Sequence, residues 1–416
     1  MNAERIYLDH AATSWPKRES VVRAAFDFTI NCGATAGRGT YTSAMEADRW
    51  ISEARRQVAK LIGADQASSI AFTSSGTHSL NAALLGLLNE GDHVLATQAE
   101  HNSALRPLRQ LEQSGRIELD FIPCDQCGLA KVDRAKSLLR ANTKLIVATH
   151  ASNVTGVVQD ITALSDFAKQ ANSSLLLDAS QTLGYLPIDV QRLGIDILAA
   201  AAHKGLGALA GTGLIYVAPN LPSKLKPLMT GGTGLSSEQI NVANTWPQVV
   251  EVGNHNMPGI VSIAVAAKEL VEQADAGSLE SSAKSALKSG WQSGWRVLLR
   301  RLVEGLKSIP GVELVGRSCT DFGQGVSGEA PALRPDYVPV VSLNLQGWSP
   351  QDLAVGLDSS FGIEVRAGYH CAALIHEAIG SKSDGGTLRI SLGHSTTEVE
   401  VDKLLAALRE VALQSA

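Results

Sequence analysis

Seven short apolar runs, each of strand length and each closed by a polar or glycine-bearing turn, follow one another through the first half of the chain, at 69–73, 93–97, 118–122, 145–149, 174–178, 195–199 and 212–217. Helix-period segments fall between most of them, at 79–88, 102–113, 161–170 and 190–193. Runs that are apolar at nearly every position bury both faces, and their alternation with helices specifies a mostly parallel sheet covered on two sides. Such a sheet binds ligands outside the carboxyl ends of its strands, so the residues there are the ones to inspect for chemistry.

The rest of the chain has a different rhythm. A short extended opening at 6–9 leads through a glycine-rich loop to a helical pattern over 44–62. After about residue 276 come helical runs over 279–308, a strand at 338–345, a helix at 350–357, strands at 363–365 and 387–392, and a helix at 397–413. That α+β succession reads as a second domain, and 416 residues exceed what one core usually covers. The expected division is a large domain over 20–280 and a small one built from 1–19 and 281–416. The segment 318–335, rich in Gly, Ser and Pro, reads as an exposed loop.

Composition narrows the class. Apolar residues at 44% and charged residues at 19% describe a globular, enzyme-like chain, and a net charge of −5 gives no reason to expect nucleic acid or an anionic membrane as partner. No apolar run reaches the length of a membrane span and the first residues lack a signal core, so a cytoplasmic protein is expected. Five cysteines suit a reducing compartment. Cys124 and Cys127 form a C-x-x-C with no second pair to complete a zinc site, and read as incidental turn residues; Cys32 and Cys319 carry no signal.

Two strand ends carry groups that burial can tune. The apolar run 195–202 delivers His203-Lys204 ahead of Gly205-Leu206-Gly207, and the run 174–177 delivers Asp178. A lysine brought out of a buried strand loses its proton more readily than a solvated one, which suits it to form a Schiff base with an aldehyde. A carboxylate beside it is placed to keep a pyridine nitrogen protonated, and together these are what pyridoxal phosphate requires. The strand ending at Thr73 runs into Ser74-Ser75-Gly76-Thr77-His78-Ser79, where small hydroxyl residues and glycine at a helix start offer donors to an anion, although N-capping alone uses the same residues. Further strand ends carry His101, able to stack on a flat ring, and Asn153 and Gln181, which either bond a ligand or close their own turns. Their conjunction points to one site for a phosphorylated pyridine aldehyde.

In order and context these residues resemble the class V aminotransferase family of fold-type I pyridoxal-phosphate enzymes, and within it the group II, Suf-type cysteine desulfurases. The resemblance runs from Tyr7-Leu8-Asp9-His10-Ala11-Ala12-Thr13 to Arg389-Ile390-Ser391-Leu392-Gly393-His394. Its most specific pieces are Ala99-Glu100-His101-Asn102-Ser103, His150-Ala151-Ser152-Asn153-Val154-Thr155-Gly156, His203-Lys204 and Val365-Arg366-Ala367-Gly368-Tyr369-His370-Cys371-Ala372. It implies an α/β fold with a large seven-stranded, mostly parallel sheet and a smaller α+β domain. It implies that Lys204 holds pyridoxal 5'-phosphate covalently and later moves protons, that Asp178 pairs with the ring nitrogen, that Gln181 contacts the ring hydroxyl and that His101 stacks on the ring. Gly76, Thr77 and His203 would hold the phosphate, and Asn153 with Arg389 would receive the substrate amino acid. Arginine suits that task because its planar fork meets a carboxylate with two parallel hydrogen bonds, though an acid of its own domain could claim it instead.

The cofactor site leaves the reaction open, and Cys371 narrows it. It follows a short turn with basic neighbours, where a thiol is expected to be accessible and its thiolate favoured. The resemblance makes it the mobile nucleophile that takes sulfur from L-cysteine as a persulfide, releasing alanine. A homodimer is implied, with a protein sulfur acceptor serving iron–sulfur cluster assembly or another sulfur-using pathway. The other readings are a selenocysteine lyase, another carbon–sulfur lyase or a transaminase of the same family, and an inactive binding scaffold. The chain departs from the family pattern at four places. Ala201 stands where many relatives carry a phosphate-binding serine, Tyr41 where a histidine is frequent, Asn254 where a threonine from the neighbouring subunit usually reaches the phosphate, and His10 where an asparagine is usual.

Overall fold

The computed structural model describes residues 5–37, 39–232, 245–279, 291–317 and 336–413. Cys319 and the loop expected over 318–335 lie outside the described residues, as does the 280–290 part of the helical run expected over 279–308.

The chain enters with a two-residue strand β1 (Ile6–Tyr7) and helices α1 (Glu19–Asn31) and α2 (Thr42–Leu61). It then builds a sheet from β2 (Ile70–Thr73), β3 (Asp92–Thr97), β4 (Ile117–Ile122), β5 (Thr143–Thr149), β6 (Ser174–Asp178), β7 (Ile197–Ala201) and β8 (Gly213–Val217), in the order β2-β8-β7-β6-β5-β3-β4. Every pairing is parallel except the two made by β8, so the other six strands share one direction and end on one edge. Successive side chains of a strand face opposite sides, and the core divides accordingly. Ile146, Leu175, Leu177 and Leu198 face the layer made by α1, α2, α6 (Ile161–Gln170) and α7 (Met257–Leu279). Leu145, Val147, Leu176 and Ile197 face α3 (Gly76–Leu87) and α4 (Asn102–Gln113). The fold class read from the sequence is the one observed.

A second core forms around β9 (Val312–Val315), β10 (Val340–Leu345), β12 (Arg366–Gly368) and β13 (Thr387–Ser391), an antiparallel sheet in the order β12-β13-β10-β9. Helices α8 (Trp291–Lys307), α9 (Pro350–Phe361) and α11 (Glu398–Leu413) cover it, burying Leu302, Leu357 and Leu408. The opening strand joins this core: β1 pairs in parallel with β11 (Ile363–Glu364), and Ile6 and Leu8 are buried in it.

Four details differ from the sequence reading. Residues 190–193 form a hydrogen-bonded turn, not a helix, because Gly194 at φ +63° ends it. The strand expected at 195–199 is shifted to Ile197–Ala201, which brings Lys204 within three residues of its end. Helices α1 and α7 and strand β9 were not anticipated, and Arg366–Gly368, expected as turn, pairs with β13 as an edge strand.

Candidate active site

The carboxyl ends of β2, β3, β5, β6 and β7 converge on one cavity of about 230 Å³. Gly76, Thr77, His101, Asn153, Asp178, Gln181, His203, Lys204 and Arg389 all line it, so the sheet and the second core bring nine sequence-predicted residues together. Ser75, Ser103, Ser180, Arg366 and His370 line it as well. Of these, Ser75, Ser103, Arg366 and His370 stood inside motifs read from the sequence, whereas nothing in the sequence singled out Ser180.

Small residues shape one corner. Ser75 caps α3, its Oγ accepting the His78 N–H at 3.1 Å. The first turn of α3 lies so close to β7 that a Cβ on Gly76 would meet Ala201 N and Ser180 Oγ, each at 3.0 Å. A helix start presents unpaired N–H groups and the positive end of its dipole, so this corner favours an anion. Thr77 Oγ1 lies 2.8 Å from Ser103 Oγ, which in turn lies 2.8 Å from His101 Nδ1.

Lys204 sits on the turn after β7. The N-terminal segment clamps that turn: Ser14 N–H donates to the His203 carbonyl at 3.0 Å, and Lys17 Nζ donates to the same oxygen at 2.7 Å. Burial pushes the Lys204 ammonium down from 10.5 to about 8; Asp178 and Asp9 oppose that shift, while Arg389 and Arg366 add to it. An amine so tuned is neutral often enough near neutral pH to act as base or nucleophile. Asp178 accepts the Ser180 N–H at 2.9 Å, which fixes the carboxylate at the end of β6. His101 caps α4, its Nδ1 accepting the Ser103 N–H at 3.1 Å, so the ring proton resides on Nε2. Burial, with the charge of Lys204, holds that ring well below the usual imidazole range, and it is neutral. His203 is likewise lowered, to about 4, by burial, Lys204 and Lys17.

Arg389 is buried on β13 and is claimed on two sides. Nη2 pairs with Asp9 Oδ1 at 2.5 Å, and Nη1 donates to the Asn153 carbonyl at 3.1 Å. The domain-internal acid that the sequence left open is thus Asp9, yet the guanidinium still lines the cavity and its buried Nε has no hydrogen-bond partner. Asn153 donates through Nδ2 to the His370 carbonyl at 2.6 Å, and Gln181 through Nε2 to the Ala11 carbonyl at 3.1 Å.

Cys371 is exposed and does not itself line the cavity; its Sγ lies 3.8 Å from Nη2 of Arg366, which does. It and His370 both have positive φ, +58° and +49°, a left-handed pair that is strained for residues other than glycine. Two bonds from the other side of the cavity hold the pair: Asn153 to the His370 carbonyl, and the Asn102 N–H to the Cys371 carbonyl at 2.7 Å.

The remaining expectations fall elsewhere. Asn254 does not reach this cavity within the chain; it lines two others, beside Gly253 and His255. Tyr41 is exposed ahead of α2, and His10 is buried with Nε2 3.1 Å from the Tyr7 carbonyl. Cys124 is buried and its thiol pushed up to about 12, so it packs as a small apolar residue.

The donor set suits a phosphorylated pyridine aldehyde: an anion corner, a tuned amine, a carboxylate on the next strand, a neutral imidazole, and an arginine whose buried Nε has no hydrogen-bond partner. A family model for class-V aminotransferases matches residues 6–404. The chain belongs to the class-V aminotransferase family. Within that family it is 29% identical to a probable cysteine desulfurase of Methanothermobacter thermautotrophicus, over 98% of this chain and 95% of that one. It is 28% identical to a cysteine desulfurase of Klebsiella pneumoniae, over 98% and 93%. A solved apo structure of cysteine desulfurase from Thermococcus onnurineus superimposes with a TM-score of 0.83 at 27% identity, covering 99% of this chain and 95% of that one. Class-V membership agrees with the seven-stranded sheet and with a lysine on the turn after β7. Among the described residues no helix is long and apolar enough to cross a membrane.

Proposed function

We propose that the chain is a pyridoxal-phosphate-dependent cysteine desulfurase that converts L-cysteine to L-alanine and takes the sulfur as a persulfide on Cys371. The observation that carries this reading is the placement of an exposed thiol on a pinned turn, beside an arginine that lines a cavity in which a buried lysine and an aspartate meet. The relatives' names support it.

Pyridoxal phosphate, bound there, supplies an aldehyde carbon and an electron-accepting ring. Lys204 Nζ would hold that carbon and, released when the substrate amine takes its place, would serve as the base for the substrate α-proton, its neutral form made available by burial. Asp178 would keep a proton on the ring nitrogen, His101 Nε2–H would face the ring, and Gln181 would meet the ring hydroxyl. Gly76, Thr77 and His203 would hold the phosphate. Arg389 would receive the substrate carboxylate through Nε, with Asn153 beside it. Sγ of Cys371, as thiolate, would attack the substrate sulfur; the carbon–sulfur bond breaks toward carbon, and protonation of that carbon completes alanine.

The same reading makes the protein a homodimer in which Asn254 reaches the partner's phosphate site, since Asn254 stands away from the cavity of its own chain. It divides the chain at 20–280 against 1–19 with 281–416, assigns the protein to the Suf-type group and to the cytoplasm, and calls for a protein sulfur acceptor. The test is alanine release from L-cysteine with and without a thiol reductant. The expected result is release by the wild type, loss in Cys371→Ala, and retention of selenocysteine cleavage in that variant, because selenium leaves more readily. Alanine release that survives Cys371→Ala undiminished would refute the persulfide route.

A further inference from the structure

Position 201, where the family resemblance expects a serine hydroxyl for the phosphate, carries only a methyl group in this chain. The cavity nevertheless holds a hydroxyl at that corner. Ser180, two residues beyond Asp178, is buried, lines the cavity and has its Oγ 3.1 Å from the amide nitrogen of Ala201. In that bond Ala201 N–H donates and Oγ accepts through a lone pair, so the hydroxyl's own proton is not consumed. The Ser180 N–H is tied to Asp178 Oδ1 at 2.9 Å. Both bonds fix the residue, and the unspent proton is left for whatever occupies the corner.

Gly76 locates that corner with respect to the helix. A Cβ built on Gly76 would stand 3.0 Å from Ser180 Oγ and 3.1 Å from the Ala201 methyl, so oxygen, methyl and the first turn of α3 surround the same space. An anion drawn to the N–H groups of that turn therefore meets Ser180 from the strand side. The hydroxyl lacking at the end of β7 stands instead on the turn after the adjacent strand β6, and its oxygen is bonded to the backbone of the very residue that lost it.

We propose that Ser180 is the hydroxyl anchor for the phosphate group in this chain, standing in for position 201. This rests on the pyridoxal-phosphate reading above and adds a ligand-binding residue to it. Because the same residue donates to Asp178, it joins the phosphate corner to the carboxylate assigned to the ring nitrogen.

The experiment compares two ligands on cofactor-free protein by equilibrium dialysis: pyridoxal 5'-phosphate, and pyridoxal, which has the ring and aldehyde without the phosphate. Ser180→Ala is expected to weaken binding of the phosphorylated ligand roughly tenfold to a hundredfold, as for loss of a hydrogen bond to a charged group, and to leave pyridoxal binding unchanged. Ala201→Ser placed in the Ser180→Ala background is expected to restore most of the lost affinity. An unchanged pyridoxal arm also shows that the variant is folded. Equal losses for both ligands, no loss for either, or a double variant no better than Ser180→Ala would overturn the assignment of Ser180 while leaving the cofactor reading intact. Wild-type protein that binds neither ligand would overturn both, and would do so before any variant is compared.

Discussion

Replacing Lys204 by methionine, which keeps the side chain's length and removes its charge, should make the cofactor-free protein more stable at neutral pH. Burial lowers this ammonium from 10.5 to about 8, against the attraction of Asp178. Between pH 8 and 10.5 the unfolded chain therefore binds a proton that the folded chain has released, and wild-type stability rises with pH across that window. Below pH 8 both states carry the proton and the folded state bears the whole cost of a buried charge. At 1.36 kcal/mol per pH unit that cost is about 3 kcal/mol, and water entering through the open cavity screens it to about 2 kcal/mol. Lys204→Met is thus expected to exceed wild type by about 2 kcal/mol at pH 7, the advantage shrinking through pH 8 and vanishing by about pH 10.5. Urea denaturation with linear extrapolation at several pH values measures it. Both proteins must be freed of cofactor, because a ligand of the native state adds its own stabilisation. No advantage at pH 7, or one that persists undiminished to pH 10.5, would show that the amine is not held charged against its surroundings.

Three further outcomes follow from residues in the cavity and next to it in the chain. Burial raises the Glu100 carboxyl to about 8, so wild-type stability falls as pH rises from 4.5 through 8; Glu100→Gln, always neutral, should gain about 3 kcal/mol on wild type at pH 7 and nothing at pH 4, read by urea denaturation. Asn102→Pro removes the N–H that holds the Cys371 carbonyl, at the first position of α4 and after a residue already at φ −70°, ψ 152°, where proline is tolerated. Hydrogen exchange across 369–373 should quicken about tenfold with α4 intact, and kcat for alanine release should fall with KM unchanged. Gly76→Ala sets a methyl group 3.0 Å from Ala201 N and Ser180 Oγ; it should abolish uptake of pyridoxal 5'-phosphate, measured by dialysis, and uptake at wild-type affinity would show that the anion sits elsewhere.

The large sheet was legible because β5, β6 and β7 are apolar on both faces, a pattern that few other environments tolerate. Lys204, Asp178 and His101 were legible for the same reason: each stands where an unbroken apolar run meets a polar turn. The small sheet was harder. Arg366–Gly368 holds a charge and a glycine and is half-buried, so it carries no strand periodicity and is a strand only because β13 lies beside it. Helix α7 begins Met257-Pro258-Gly259, and its alanine-rich, nearly uniform hydropathy hides the helical period. Asp9 and Ser180 could not be read at all, since the contacts that matter, to Arg389 and to the backbone of Ala201, join residues distant in sequence.

Arg389 bonds Asp9 from the opposite end of the chain, and Ile6–Tyr7 pairs with Ile363–Glu364. On the ribosome, Gly76, His101, Asp178, Ser180 and Lys204 are all translated before any of the strands β9 to β13 exists. A nascent chain of that length holds the lysine and the aspartate of the cavity but neither Arg389 nor Cys371, and its first strand waits unpaired until β11 is made. The lining of the cavity is therefore completed late in synthesis, and the exit of residue 389 marks the moment when the two ends of the polypeptide close the circuit.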